Sequence, residues 1–152
     1  MSKKILLTVL YVMALSNFSN AQEYSLEKIM SLQHSSPPKR ESLILTDGFI
    51  FLGIQNGAKM YKNNRNNLIM MGKDRIVYQY ATQNTYSAAI TEAEKLGFKY
   101  ISDEEDKTSI GLVEHLYQRV YDLKIQQLAF AYIKLQSKTT YTVSYMYQSF
   151  TK

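Results

Sequence analysis

Cysteine and tryptophan are absent from this 152-residue chain, and its only two prolines stand side by side at Pro37-Pro38. Without cysteine no disulfide can brace the fold, which must rest on packing alone. Thiolate zinc sites are excluded for the same reason. Only two histidines occur, His34 and His115, and they do not form the H-x-x-x-H spacing of a helical metal pair. The chain has no G-x-S-x-G elbow and no glycine-rich phosphate cradle. The acidic run Asp103-Glu104-Glu105-Asp106 lacks the alternation and central glycine of a calcium loop, and reads as a solvated loop. No catalytic residue, cofactor or metal site is expected from these patterns.

The amino terminus has the order of a secretory signal peptide. Lys3 and Lys4 supply the positive start, Ile5 to Leu15 an eleven-residue apolar stretch, and Ser19-Asn20-Ala21 a small-residue cleavage site. Spanning a bilayer takes about 20 apolar residues, so this stretch is too short for a membrane helix. The alternative, a buried amphipathic helix, leaves the ordered charge, core and small residues unexplained. No cysteine follows the stretch, which argues against a lipid anchor, and no later run has the length of a membrane span. The expectation is an exported protein, periplasmic or secreted, with residues 1–21 removed and residues 22–152 forming one domain. That part has no Asn-x-Ser/Thr acceptor, which fits a bacterial rather than a eukaryotic export route. Loss of Lys3 and Lys4, with no acid, lowers the formal net charge from +5 to +3. A mild excess without a basic stripe argues against nucleic acid as a partner.

Residues 22–152 make a chain long enough to bury roughly two-thirds of its unfolded surface. Ser25 can cap a short helix whose apolar positions are Leu26, Ile29 and Met30, with Tyr24 and Ile29 placed as a hydrophobic staple. Pro37-Pro38 breaks that helix and can open a second one ending at Asp47-Gly48, followed by a strand at Phe49–Leu52. Asn56-Gly57 is a hairpin turn. The run from Asn63 to Asn67 reads as an exposed loop between the strand candidates Met60-Tyr61 and Leu68–Met71. Arg75 to Ala81 alternates as a strand. Asn84 to Leu96 is the clearest helix, capped by Asn84 or Thr85, with the stripe Tyr86, Ala89, Ile90, Ala93 and Leu96, and with Gly97 as its left-handed end. A strand at Phe98–Ile101 follows.

From Leu112 to Gln148 there is neither glycine nor proline. Strands at Leu112–Tyr117, Tyr121–Leu128 and Tyr141–Tyr147 fit the tyrosine and valine content, with a turn at Gln136–Thr139. Val113, Leu116, Val120, Leu123 and Phe130 also fit heptad spacing, so a single long helix over 112–133 is the competing reading. Asp47–Leu52 and Leu96–Ile101 look alike, with their glycines 49 positions apart at Gly48 and Gly97. Duplication of a helix-plus-meander unit, α-β-β-β, and chance are both compatible with so short a match. The fold class expected is α+β: an antiparallel sheet with two or three helices packed on one face.

The pattern Leu96-Gly97-Phe98, then Tyr117-x-x-x-Tyr121-x-Leu123-x-Ile125, then a tyrosine-rich last strand resembles small exported bacterial envelope proteins of uncharacterised function. The resemblance covers residues 76–148 and implies no activity and no site residue.

Chemistry-bearing residues remain sparse. Glu92, Glu94, Glu114 and Asp122 could supply the paired carboxylates of a glycoside hydrolase, though Glu92 and Glu94 also fit the solvated side of their helix. His34 lies beside the proline break and reads as exposed, and His115 alternates with Val113 and Tyr117 as a sheet residue. Tyrosine is abundant, 13 in all. Tyr78, Tyr80, Tyr141, Tyr145 and Tyr147 form alternating rows, which are core if helices cover them and a partner-binding face if they do not. The reading is a non-enzymatic binding domain with a protein or envelope component as partner. Its rivals are a small secreted hydrolase and an inhibitor or immunity-type factor. Mass spectrometry of the exported protein is expected to find Gln22 as its first residue; an amino terminus at Met1 in the exported pool would contradict the signal assignment.

Overall fold

A computed structural model describes residues 23–105, 112–134 and 138–149. The signal-peptide assignment, and Gln136 and Ser137 of the turn expected at Gln136–Thr139, lie outside the described residues. Helix α1 is Leu26–His34, α2 is Pro37–Thr46 and α3 is Gln83–Lys95. The strands are β1 Ile50–Gln55, β2 Ala58–Lys62, β3 Leu68–Met71, β4 Arg75–Tyr80, β5 Lys99–Glu105, β6 Leu112–Tyr121, β7 Lys124–Lys134 and β8 Thr139–Ser149. All eight form one antiparallel sheet in the order β1-β2-β3-β4-β8-β7-β6-β5. The α+β class therefore holds.

Local chemistry starts and stops the helices. Ser25 accepts the Lys28 N–H and begins α1, as its spacing predicts. Ser36 precedes α2, which opens on both prolines, where a missing N–H costs nothing. Thr82, rather than Asn84 or Thr85, caps α3 by accepting the Thr85 N–H. The ends of α2 and α3 are built alike. Gly48 and Gly97 each have φ near +83°, and the residue after each, Phe49 and Phe98, donates to the carbonyl of Ile44 and Ala93 respectively. Gly48 and Gly97 themselves donate to Leu45 and Glu94. This six-to-one and five-to-two pattern satisfies carbonyls left free at a helix end. Phe49 and Phe98 are both buried.

The likeness continues into the strands that follow. The β1–β2 register slips between Phe51 and Gly53, and the β5–β6 register slips between Tyr100 and Ser102, positions again 49 apart. Beside each bulge an aromatic pair forms, Phe51–Tyr61 at 5.4 Å and Tyr100–Tyr117 at 5.7 Å between ring centroids.

Three expectations need correction. Asp103–Glu105 belongs to strand β5 and is no loop, because it pairs with β6 from Asp103–His115 to Glu105–Val113. The long-helix reading of 112–133 is wrong: β6 and β7 are paired strands, and they meet later than expected, across Asp122 and Leu123. Both of those residues have positive φ, 50° and 56°, the geometry of a tight hairpin turn that glycine or asparagine usually announces. The asparagine loop is buried at its two ends. Asn63 Oδ1 accepts the N–H groups of Arg65 and Asn67, and Asn67 Oδ1 accepts that of Ala81. Asn63 and Asn67 are thus the polar filling that satisfies backbone groups under the loop.

Side chains from one face of the central β4–β8 pair build the core. Ile76, Tyr78, Val143 and Tyr145 are buried there, with Leu26, Ile29 and Leu32 from α1, Ile44 from α2, and Tyr86, Ala89 and Ala93 from α3. Helices α1 and α3 both contact β4 and β8. Glu92 of α3 accepts the N–H groups of Leu26 and Glu27, so one helix caps another. A Cβ at position 97 would meet nothing within 4 Å, so replacement there tests backbone strain alone. Gly97→Ala and Gly48→Ala are each expected to cost about 1 kcal/mol in urea unfolding; a cost near zero at both would contradict the left-handed helix ends.

Candidate functional site

The tyrosine rows form a buried layer of the core. Tyr78, Tyr80 and Tyr145 are buried, and Tyr141 and Tyr147 are half-buried and pack against the core. Tyr86 of α3 lies against Tyr141 at 5.0 Å and against Phe130 at 5.8 Å. Tyr24 stacks on Tyr78 at 5.5 Å, and its N–H donates to the Tyr78 hydroxyl. His34 donates to or accepts from the Tyr145 hydroxyl at 3.0 Å and stacks on Tyr147 at 4.8 Å. Its side chain stays exposed, as its place beside the proline break predicts, and burial, then Lys124, Arg119 and Arg40, push its pKa down. Burial also raises the Tyr145 hydroxyl to about 12. Of the two sequence readings of these rows, the burial matches the core.

The carboxylates proposed from sequence do not converge. Glu92 caps α1. Glu94 is exposed on α3, and Asp122 is exposed in the β6–β7 turn. Glu114 stands next to His115 in β6, so its side chain leaves the opposite face of the sheet. A carboxylate does meet His115: Nδ1 lies 2.5 Å from Asp103 Oδ1. Asp103 is held below the usual carboxylate range by His115 and then by the Tyr100 hydroxyl. Such a pair can orient an imidazole as a general base. Ser102, the adjoining serine, pairs with Leu116 and so lies on the opposite face from His115. Among the described residues no group of three His, Cys, Asp or Glu is placed to hold a metal ion.

Sequence reasoning missed the other side of the pleat. Residues opposite each other in register share a face. One such row crosses the sheet as Met60, Met70, Val77, Ser144, Ala129 and Leu116. It alternates along each strand with positions of the tyrosine face, which on β3 are Ile69 and Met71. Ala129 is buried and the others are half-buried. Ser144 Oγ is shielded by its neighbours and has no partner. The rows that flank it are mixed: Lys62, Leu68, Gln79, Thr142, Ala131 and Glu114 on one side, and Arg75, Met146, Gln127, Gln118 and Lys99 on the other. The helix-to-sheet side-chain contacts described above all fall on the tyrosine positions. Beyond the row, Ile50, Leu52 and Ile54 on β1 and Tyr100 and Ile101 on β5 are exposed at the sheet edges. The alternation Tyr78-Gln79-Tyr80 signals two faces, but strand order alone tells which residues adjoin on the second.

No family model, curated protein or solved structure matches the chain.

Two buried hydroxyls give a direct check on the tyrosine layer. Tyr24 Oη donates to Asp47 at 2.7 Å, whereas Tyr86 Oη is buried without a protein partner. Tyr24→Phe is expected to lower stability by about 1–2 kcal/mol, and Tyr86→Phe to leave it unchanged or raise it by up to about 1 kcal/mol. Equal losses at both sites in chemical denaturation would contradict the assignment.

Proposed function

We propose that this chain is an exported, non-enzymatic binding domain of the bacterial envelope. In this reading the three helices cover the tyrosine face of the sheet and leave the other face to a protein or envelope component. The observation that carries it is the row from Met60 through Val77 and Ala129 to Leu116, which crosses six strands and is apolar at every position but Ser144. An apolar centre with polar side chains interspersed around it, here Lys62, Gln79, Glu114, Arg75 and Gln127, fits a protein-binding surface. Methionine at two of the six positions gives a surface that can adjust to a partner's shape. An inhibitor or immunity-type factor is one form of such a binder. Export rests on the amino-terminal sequence alone.

The finer architecture belongs to the same proposal. The chain is two copies of a helix followed by four strands, joined by the β4–β8 pair. Three matches at an offset of 49 support this: the glycine helix ends, the bulges, and the aromatics Phe51 and Tyr100 beside them.

The His115–Asp103 pair favours a second reading, a small hydrolase with His115 as base. It is the weaker one, because the adjoining Ser102 and Glu114 leave the other face of the sheet. Capture from an envelope extract, run beside ester and glycan hydrolysis assays, separates the two. Met70→Glu with Leu116→Glu is expected to lower capture of a specific partner at least tenfold, about 1.4 kcal/mol, with little change in melting temperature. Capture indifferent to those changes, together with hydrolysis lost in His115→Asn, would overturn the binding reading.

A further inference from the structure

We infer that the corner between α1, α2 and the β3–β4 turn is a binding site for a small oxyanion, a carboxylate or a phosphate. A cavity of about 300 Å³ there is lined by Gln33, Arg40, Lys73, Asp74 and Tyr147. Arg40 is 7 % exposed, and among the described residues no carboxylate pairs with it. Its Nη2 donates to the carbonyls of Gln33 and Ser35 at 3.0 and 3.1 Å, while Nε is buried without a partner. Those carbonyls end α1, whose dipole offsets part of the guanidinium charge and fixes where it sits. They do not supply a full counter-charge, and a buried cation without one is costly.

The surroundings add positive charge. Lys73 and Asp74 form the tip of the β3–β4 hairpin, closed by the Gly72 N–H donating to Arg75. Lys124 Nζ lies 5.4 Å from the ring of Tyr147, a lining residue. Asp74 is the single acid in the lining, against Arg40 and Lys73. The pKa of His34, which stacks on Tyr147, is lowered first by burial and then by the nearby charges of Lys124, Arg119 and Arg40. Gln33 is 3 % exposed, with Oε1 buried and unpartnered, so the floor of the cavity is polar. An oxyanion between Arg40 and Lys73 would provide the missing counter-charge, with guanidinium geometry suited to two parallel hydrogen bonds. This inference stands apart from the binding face, which lies on the opposite pleat.

The test is titration of the full isotope-labelled chain with inorganic phosphate and with acetate, each at constant ionic strength against sodium chloride. Saturable shifts of the Gln33, Arg40, Lys73 and Tyr147 resonances are expected with at least one of them. Saturation by phosphate alone assigns a tetrahedral ligand, and by acetate alone a planar one. Lys73→Ala is expected to weaken binding at least threefold and Asp74→Asn to tighten it about threefold. Arg40→Gln is expected to abolish it, and the two exposed-tip variants keep the test valid if that change loosens α1. Shifts no different from those with chloride, or an affinity unchanged in both Lys73→Ala and Asp74→Asn, would overturn the site.

Discussion

The antiparallel pairing of β4 with β8 holds the two ends of the chain in one sheet. Six residue pairs, from Arg75–Met146 to Tyr80–Tyr141, join a four-stranded meander that ends at Tyr80 to one that ends near the carboxyl terminus. Each meander pairs only with itself elsewhere. Helices α1 and α3 both contact these two strands, so the core spans the place where they meet. Without that seam each meander would expose a long unpaired edge, a template for misassembly. The apolar row on the far side depends on the same seam, since Val77 and Ser144 become neighbours only across it.

Tyrosine does the work that tryptophan and disulfides do in other small domains. Its ring packs in the core while its hydroxyl reaches a polar group. Tyr24 reaches Asp47, Tyr61 reaches Glu41 and Tyr145 reaches His34. Glu41 is held below the usual carboxylate range by Lys59 and then by Tyr61. A carboxyl depressed in the folded state contributes stability above its unfolded pKa, and loses it as pH falls through the lower folded value. The layer thus ties sheet to helices through directed bonds as well as burial. Tyr80 and Tyr86, whose hydroxyls are buried without partners, mark where ring packing outweighs that requirement.

Much of the fold was legible along the chain. Ser25, Pro37-Pro38, Gly48, Asn56-Gly57 and Gly97 are local signals, and each acts through its own φ, missing N–H or side-chain oxygen. The β6–β7 turn was misread because Asp122-Leu123 takes positive φ without the usual glycine. Asp103 was misread because acidic residues in a row look solvated, while pairing with His115 holds this one in a strand. The buried Asn63 and Asn67 escaped notice because their partners are backbone groups of the loop and of Ala81.

By itself the sequence determined the export-like amino terminus, the α+β class, the helix ends and the two-faced character of the tyrosine strands. These follow from short-range chemistry: spacing, caps and alternation. Only the tertiary structure decided that the tyrosines face inward, that Met60, Met70, Val77 and Leu116 share a row, and that Arg40 and Lys73 share a cavity. Those neighbours are brought together by strand order and helix docking. Alternation says that a strand has two sides, but only packing decides which side is covered.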